Sequence, residues 1–279
     1  MNDSHGHFVW YELLTTDMAA AKAFYAKIVG WSARDASAPG MAYTLFCVGD
    51  AAVGGLMTLP HEARRTGAQP RWLGYVAVDD VDAAVVRLRQ LGGAVHIPPA
   101  DIPGVGRFAM VTDPQTATLA LIKGAEPAQS PAGELDKPGR VGWHELLAAD
   151  GETAFPFYGA LFAWRKGEPE VEPAGTYQPF FAGAEVIGGM FTKPKFVAMP
   201  FWLYYFNVDD MTVAVEDVKA GGGRVLEGPV DMPHGSRVAR CEDPQGAMFA
   251  LMEKPKDKAV GYFARGASPG STGGRRWSW

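Results

Sequence analysis

Two glutamates occupy the same place in a short motif that occurs twice. Glu12 lies in Trp-Tyr-Glu-Leu-Leu, and Glu145 lies in Trp-His-Glu-Leu-Leu. A carboxylate surrounded by Trp and Leu loses its water, and this raises its pKa toward the roughly 6 to 7 that suits a general base near neutral pH. Alternatively, each glutamate pairs with an arginine such as Arg107 or Arg237 and has a structural role. The sequence favours neither interpretation over the other.

The other reactive residue types form no known catalytic motif. The sequence contains no Gly-x-Ser-x-Gly, no P-loop and no Gly-x-Gly-x-x-Gly that opens a helix. Cys47 and Cys241 are far apart and form no Cys-x-x-Cys, so neither a disulfide framework nor a zinc cluster is indicated. We interpret His144 as structural, because alternation along a strand turns it away from the face of Glu145. His234, in a Met-Pro-His-Gly loop, is a candidate ligand contact.

The composition limits the classes of protein and partner. Of 279 residues, 47% are hydrophobic and 20% are charged, which favours a packed fold over disorder. The net charge of −5 argues against nucleic-acid binding, which depends on Lys and Arg. No apolar run approaches the roughly 18 residues of a membrane span, and no signal peptide is visible. We therefore expect a cytoplasmic monomer or homodimer with neither nucleic acid nor a membrane as partner.

The chain is built from two copies of one segment. In both copies the glutamate motif is followed by Phe-Tyr, a Trp, a Gly-Gly pair, a Trp-Leu with Asp-Asp, and Asp-Pro-Gln, in the same order. Counterparts are 133 residues apart at the glutamates (145 − 12) and 130 apart at Asp-Pro-Gln (243 − 113). A shared order at near-constant spacing indicates an internal repeat.

Each copy divides again into two units that begin with a strand, an aspartate and a helix. The aspartates are predicted helix N-caps: Asp17, Asp80, Asp150 and Asp210. After each helix come short strand-like runs separated by Gly, Pro or Asp-Pro turns. The unit is therefore βαβββ, and it is used four times.

The repeat also predicts the domain boundaries. We place an N-terminal domain at 8–124 and a C-terminal domain at 140–254. The segment 125–139 contains three prolines and no periodicity, which is typical of a linker. The segment 255–279 is rich in Gly and Ser, which favours a flexible tail.

This arrangement resembles the vicinal-oxygen-chelate superfamily, which includes glyoxalases, bleomycin resistance proteins and dioxygenases. The resemblance rests on paired βαβββ units that open with strand, Asp, helix and Phe-Tyr, and close with Asp-Pro before a last strand. It covers nearly all of residues 8–254. It implies an α+β fold with two half-open barrels in tandem, each with a small ligand on its concave face. These motifs belong to the scaffold, so they leave the reaction open.

The resemblance also implies where metal ligands would stand. Members that use a divalent metal carry His or Gln seven residues before the strand-ending aspartate, and Glu seven residues after the aspartate of Asp-Pro. Here those positions hold residues that do not coordinate such ions: Trp10, Leu73, Ala120, Trp143, Leu203 and Ala250. We therefore predict no metal site and no other cofactor.

Strand alternation extends these positions into one predicted ligand site per copy. Residues two apart on a strand share a face, so each glutamate lies on the face of the former metal positions. The predicted ligand contacts of the first copy are Trp10, Glu12, Leu73, Tyr75 and Ala120, with Thr118 beside them. Those of the second copy are Trp143, Glu145, Leu203, Tyr205, Asn207, His234 and Ala250, with Met248 beside them. Apolar walls with a few polar groups are typical of small-molecule pockets.

Three functional hypotheses remain open at this point. The first is metal-free binding of a small, partly apolar molecule. The second is a lyase, isomerase or oxygenase-like enzyme that uses Glu12 or Glu145 as a base. The third is a structural or signalling protein without a working cavity.

Overall fold

The computed structural model describes residues 4–124, 135–172, 175–232 and 235–255. Most of the predicted linker, residues 125–134, lies outside the described residues, as does the predicted tail from 256 onward. No helix in the described parts of the chain is long and apolar enough to cross a membrane.

The elements of the first repeat follow the βαβββ order twice. They are β1 (Phe8–Thr15), α1 (Met18–Val29), β2 (Ser32–Asp35), β3 (Tyr43–Val48), β4 (Ala51–Thr58), α2 (His61–Arg65), β5 (Arg71–Ala77), α3 (Val81–Gln90), β6 (Ala94–Ile102), β7 (Gly106–Thr112) and β8 (Thr118–Gly124). Only the short helix α2 is additional to two complete units.

The second repeat has the same order. Its elements are β9 (Val141–Ala148), α4 (Gly151–Phe162), β10 (Arg165–Lys166), β11 (Glu170–Glu172), β12 (Gly175–Ala182), β13 (Glu185–Thr192), β14 (Phe201–Asn207), α5 (Met211–Ala220), β15 (Arg224–Asp231), β16 (Arg237–Glu242) and β17 (Met248–Glu253). The added strand here is β11, which pairs with β12. The predicted α+β fold of four βαβββ units is confirmed.

Each repeat forms its own sheet. The order is β2-β3-β4-β1-β5-β8-β7-β6 in the first repeat and β10-β12-β13-β9-β14-β17-β16-β15 in the second. In both, the first strands of the two units pair antiparallel at the centre, and each also pairs parallel with the last strand of its own unit. The strands that carry the two glutamates therefore lie in the middle of the sheets.

The four predicted aspartates cap the helices that follow them. In α1, both Ala19 and Ala20 donate their backbone N–H groups to one side-chain oxygen of Asp17 at 3.0 Å. Asp150 and Asp210 each accept two such bonds at the starts of α4 and α5, and Asp80 accepts one, from Ala83, at the start of α3. A carboxylate at this position satisfies N–H groups that have no partner within the helix. The aspartates thus fix where each strand ends, and hence the strand register.

The two sheets pack on each other through one face each, and the long helices join them in a single apolar core. One cluster of buried side chains includes residues of both repeats, from Leu13 and Phe24 to Phe206 and Phe249. Helix α1 of the first repeat packs on α5 of the second, and α3 packs on α4. The chain length allows two separate cores, but here the two repeats share one.

Polar contacts across this core link equivalent positions. The Tyr11 hydroxyl and Nε2 of His144 are 2.6 Å apart, and these residues are counterparts in the repeat. The backbone N–H of Gly74 donates to the hydroxyl of Tyr204, its own counterpart, at 2.7 Å. A residue can meet its counterpart only near a two-fold relation between the copies. The repeats are therefore related by a pseudo-two-fold axis that passes between these pairs.

A second set of contacts is exchanged reciprocally across the axis. The Tyr25 hydroxyl donates to Asp243 at 3.1 Å, and the Tyr158 hydroxyl donates to Asp113 at 2.8 Å. These aspartates belong to the two Asp-Pro-Gln turns, so each turn is held by the Phe-Tyr helix of the other repeat. Both are buried, with relative exposures of 3%. The motifs that define the family scaffold therefore also hold the two halves together.

Candidate functional site

The face of each sheet opposite the shared core is called the site face below. In the first repeat it carries a cluster of Leu73, Tyr75 and Ala120, with Trp10 and Met110 packed against it. In the second repeat the equivalent cluster includes Leu203, Tyr205 and Ala250, with Trp143 packed against it. The structure therefore brings most of the predicted site residues together.

Glu12 lies in the site face of the first repeat and is held by two tyrosines. The Tyr43 hydroxyl donates to Oε1 of Glu12 at 2.8 Å, and the Tyr75 hydroxyl donates to Oε2 at 2.9 Å. The Trp10 indole N–H donates to the Tyr43 hydroxyl at 3.3 Å. Burial raises the pKa of Glu12, and the two tyrosine hydrogen bonds only partly offset this. Among the described residues, no cationic side chain bonds with this carboxylate.

Tyr43 was not predicted, and a glycine makes room for it. A Cβ on Gly55 would overlap the Tyr43 hydroxyl, and one on Gly189 would overlap the Tyr177 ring in the second repeat. The neighbouring Gly54 lies close to the backbone of β1, with Tyr11 O only 2.9 Å from a Cβ placed there. The Gly-Gly pairs are therefore positions where a neighbouring group approaches the backbone closely. They allow a tyrosine of the adjacent strand, Tyr43 of β3 or Tyr177 of β12, to reach the centre of the site face.

Glu145, the counterpart of Glu12, lies in a buried ion network. Nη2 of Arg240 donates to Oε2 of Glu145 at 2.6 Å, and the Tyr205 hydroxyl donates to the same oxygen at 2.7 Å. Nη1 of Arg240 also donates to Glu227 at 3.2 Å. The Arg240 side chain has no exposed surface. Burial alone would lower the pKa of Arg240, but the charge of Glu145 and the contacts with Tyr205 and Glu227 raise it.

The position next to the glutamate differs between the two site faces. Arg240 is opposite Ala250 across the β16–β17 pair, and Met110 is opposite Ala120 across the β7–β8 pair. A guanidinium thus stands in the second repeat where a thioether stands in the first. As a result, the carboxylate of Glu145 has an internal cation, whereas that of Glu12 has only hydroxyl donors.

The predicted arginine partners were wrong. Arg107 pairs with Asp82 and Asp101 at 2.6 Å and 3.0 Å, outside the site face. Arg237 pairs with Asp231 at 3.4 Å and with Glu253 at 3.5 Å. The turn that starts at Asp243 could have identified the correct arginine. Counting back from it places Arg240 opposite Ala250, whereas Arg237, three residues earlier, faces the other way.

A cavity of about 600 Å³ opens at one end of the second site face. Its lining is apolar except for one carboxylate: Phe196, Val197, Met199, Phe201, Leu226, Glu227 and Met248. Phe201 is two residues before Leu203 on β14, so the cavity continues the site face beyond the predicted contacts. Of these residues the sequence identified only Met248, because the remainder of the lining comes from loop 193–200, the start of β14 and strand β15.

One predicted contact of the second repeat, Asn207, is engaged away from the cavity. Asn207 is 1% exposed, and its amide nitrogen donates to the backbone carbonyl of Leu135 at 2.7 Å. Its side chain thus holds the segment before β9, and the prediction of a ligand contact there is not supported. His234 lies outside the described residues. His144 is 7% exposed and lies between the repeats, as expected for a structural histidine.

The residues present do not fit the metal that many members of the resembled superfamily bind. The six inspected positions hold indole or hydrocarbon side chains. Within the described ranges, no group of three or more His, Cys, Asp or Glu residues could hold a metal ion. In the second repeat Glu145 and Glu227 already have Arg240 as their cationic partner.

Comparison with known proteins agrees with the fold and the repeat. The family model described as Glyoxalase/Bleomycin resistance protein/Dioxygenase superfamily matches residues 6–121 and again 140–251. The chain is 34% identical over 246 residues to the putative glyoxylase CFP32 of Mycobacterium tuberculosis, covering 88% of this chain and 93% of that protein. It is 32% identical over 269 residues to the anthracycline biosynthesis protein DauV of Streptomyces sp. strain C5, covering 88% and 92%.

Solved structures show the same fold at low sequence identity. The Mn(II)-bound glyoxalase from Novosphingobium aromaticivorans superposes with a TM-score of 0.61 at 17% identity, covering 90% of this chain and 82% of that one. The 2,3-dioxygenase LapB from Pseudomonas sp. KL28 superposes with a TM-score of 0.62 at 11% identity, covering 90% and 93%. At such identities the likeness concerns the fold alone.

Proposed function

The chain belongs to the Glyoxalase/Bleomycin resistance protein/Dioxygenase superfamily, and we propose that it binds a small, partly apolar molecule, without a metal, at the site face of its second repeat. The observation that carries this proposal is the apolar cavity of about 600 Å³ at the end of that face. Its volume is in the range of pockets that enclose drug-sized ligands.

The chemistry of the lining favours a flat, partly aromatic ligand. Phe196 and Met199 line the cavity and are 66% and 58% exposed, so both present apolar surface to whatever enters it. Phe201 and Met248 form part of the wall. Aromatic rings pack on Phe by stacking and on Met through its polarisable sulfur. The relatives named for anthracycline biosynthesis agree with a polycyclic aromatic ligand of this kind.

The ion network supplies the polar part of the proposed site. Glu227 both lines the cavity and bonds with Arg240, which connects it to Glu145. Burial raises the pKa of Glu227, although the charge of Arg240 opposes this. A hydroxyl or amino group of a ligand would donate to Glu227 while its rings lie on the apolar wall. The arginine fixes this acceptor in place, so little ordering is needed on binding.

A binding titration with daunorubicin, an anthracycline, tests the proposal. We expect saturable binding that persists in EDTA, because no metal takes part. Met248→Thr, which introduces the residue type of its counterpart Thr118, should weaken binding about 5- to 30-fold through lost apolar contact. Val213→Thr, on the exposed side of α5, is the matched control and should have no effect. Binding that requires a divalent metal, or that is indifferent to Met248→Thr, would refute the proposal.

A second candidate function is proton abstraction by Glu12. The observation in its favour is a buried carboxylate with a raised pKa and no cationic partner among the described residues. NMR detection of deuterium uptake from D2O into a methylglyoxal–thiol adduct would report such a base. Glu12→Gln should abolish the exchange and Glu145→Gln should leave it unchanged, because Glu145 is paired with Arg240. Absence of exchange in the wild type rules this candidate out.

A further inference from the structure

The first repeat has a cationic side chain, Arg71, at the position where the second repeat has Phe201, which lines the cavity. Arg71 is opposite Leu14 in the β1–β5 pair, and Phe201 is opposite Leu147 in the β9–β14 pair. Arg71 and Phe201 are thus counterparts, and both lie on the site face by alternation with Leu73 and Leu203. The guanidinium therefore stands at the end of the first site face that corresponds to the cavity of the second.

This guanidinium has no partner among the described residues. Nε of Arg71 is buried and makes no hydrogen bond. No carboxylate of the described residues forms an ion pair with Arg71, in contrast to Arg107 and Arg240. Burial removes water from the guanidinium and so lowers the pKa of Arg71, and no neighbouring charge offsets this effect. Buried polar groups without partners are rare in folded proteins, and such a group needs either a ligand or a functional reason.

The neighbours of Arg71 on β1 and β5 are apolar, and two counterparts of cavity residues are polar: Thr118 for Met248 and the exposed His96 for Leu226. Leu14 and Leu73 are 7% and 3% exposed. The carboxylate of this face, Glu12, lies opposite Leu73, which is two residues along β5 from Arg71. One fixed positive charge with apolar surroundings matches a monoanion with an apolar body. A dianion would leave its second charge unpaired in these surroundings.

We propose that the site face of the first repeat is a second binding site, which takes a small carboxylate with an apolar body and pairs the carboxylate with Arg71. This site differs in chemistry from the cavity of the second repeat and does not depend on it. A guanidinium binds a carboxylate through two parallel N–H donors.

The test uses phenylacetate as the probe, phenylacetamide as its uncharged counterpart, and the full chain. Calorimetry should show that phenylacetate binds at least about 10-fold more tightly than phenylacetamide, since a charged hydrogen bond is lost in the amide. Arg71→Met should remove this preference, and Arg71→Lys should restore part of it. Arg87→Met, at an exposed position of α3, is the control and should keep it. Inorganic phosphate should not displace the probe.

Thermal unfolding separates a binding role from a structural one. An unpaired, part-buried guanidinium does not stabilise the fold, so Arg71→Met should melt no earlier than the wild type. Met248→Thr should leave phenylacetate binding unchanged, because it alters only the other site. Equal binding of acid and amide, loss of binding in Met248→Thr, displacement by phosphate, or early melting of Arg71→Met would each overturn the proposal.

Discussion

Replacing Arg240 by Met would give the second site face the residue that the first one has at Met110. The change removes the cation between Glu145 and Glu227, whose side chains are only 3% and 12% exposed. Removing one partner of a buried ion pair typically costs about 3–5 kcal/mol, because the other charge stays buried without compensation. The first repeat tolerates Met110 because two tyrosines hold Glu12 instead, whereas the donors that hold Glu145 are Arg240 and Tyr205.

The cost of Arg240→Met should depend on pH in a defined direction. Burial raises the pKa of Glu227 and the charge of Arg240 opposes this, so without the arginine the folded-state pKa of Glu227 would be higher still. A carboxyl group whose pKa is raised in the folded state costs no stability below its unfolded-state pKa. Stability is lost as the pH rises through its folded-state pKa, because the buried group then becomes charged. The deficit of the variant should therefore be smaller at pH 5 than at pH 8.

Urea unfolding followed by tryptophan fluorescence at these two pH values measures the effect. Arg237→Met is the matched control, since it removes a more exposed ion pair on the same strand and should cost no more than about 1 kcal/mol. Glu145→Gln combined with Arg240→Met should recover part of the loss, because the amide carries no charge. If Arg240→Met alone is as stable as the wild type at pH 8, the network does not stabilise the fold and the reasoning fails.

Two further predictions concern the contacts between the repeats. His144 donates from Nδ1 to a backbone carbonyl at 2.6 Å and is neutral, because burial lowers its pKa from 6.5 to about 4. Since the folded-state pKa is the lower one, the contribution of neutral His144 to the free energy of unfolding is complete above pH 6.5 and falls by about 3 kcal/mol toward pH 4. An NMR titration that finds this imidazole protonated at pH 6 would contradict the prediction. Tyr158→Phe removes the hydroxyl donor from Oδ2 of Asp113 and the acceptor from the Trp202 indole N–H. The free energy of unfolding should fall by about 1–3 kcal/mol, and a loss of less than about 0.5 kcal/mol in chemical denaturation would show that the bond is not needed.

The sequence alone determined the features that depend on neighbouring residues or on strict periods. The aspartates Asp17, Asp80, Asp150 and Asp210 cap helices because a carboxylate next to a helix start bonds with N–H groups two and three residues ahead. Alternation placed Glu12 and Glu145 on the site face because successive side chains of a strand point to opposite sides. Such relations stay the same in any fold that contains the strand, so they can be derived before the fold is known.

Only the tertiary structure decided which partners these side chains have. Glu145 and Arg240 are 95 residues apart in sequence, and Tyr25 and Asp243 are 218 apart. The sequence shows both members of each pair but not that the sheets pack with a pseudo-two-fold axis, which brings counterparts such as Tyr11 and His144 into contact. That packing follows from the burial of many apolar side chains at once, a non-directional effect that no single motif encodes. The same packing decides which faces remain open to bind a ligand.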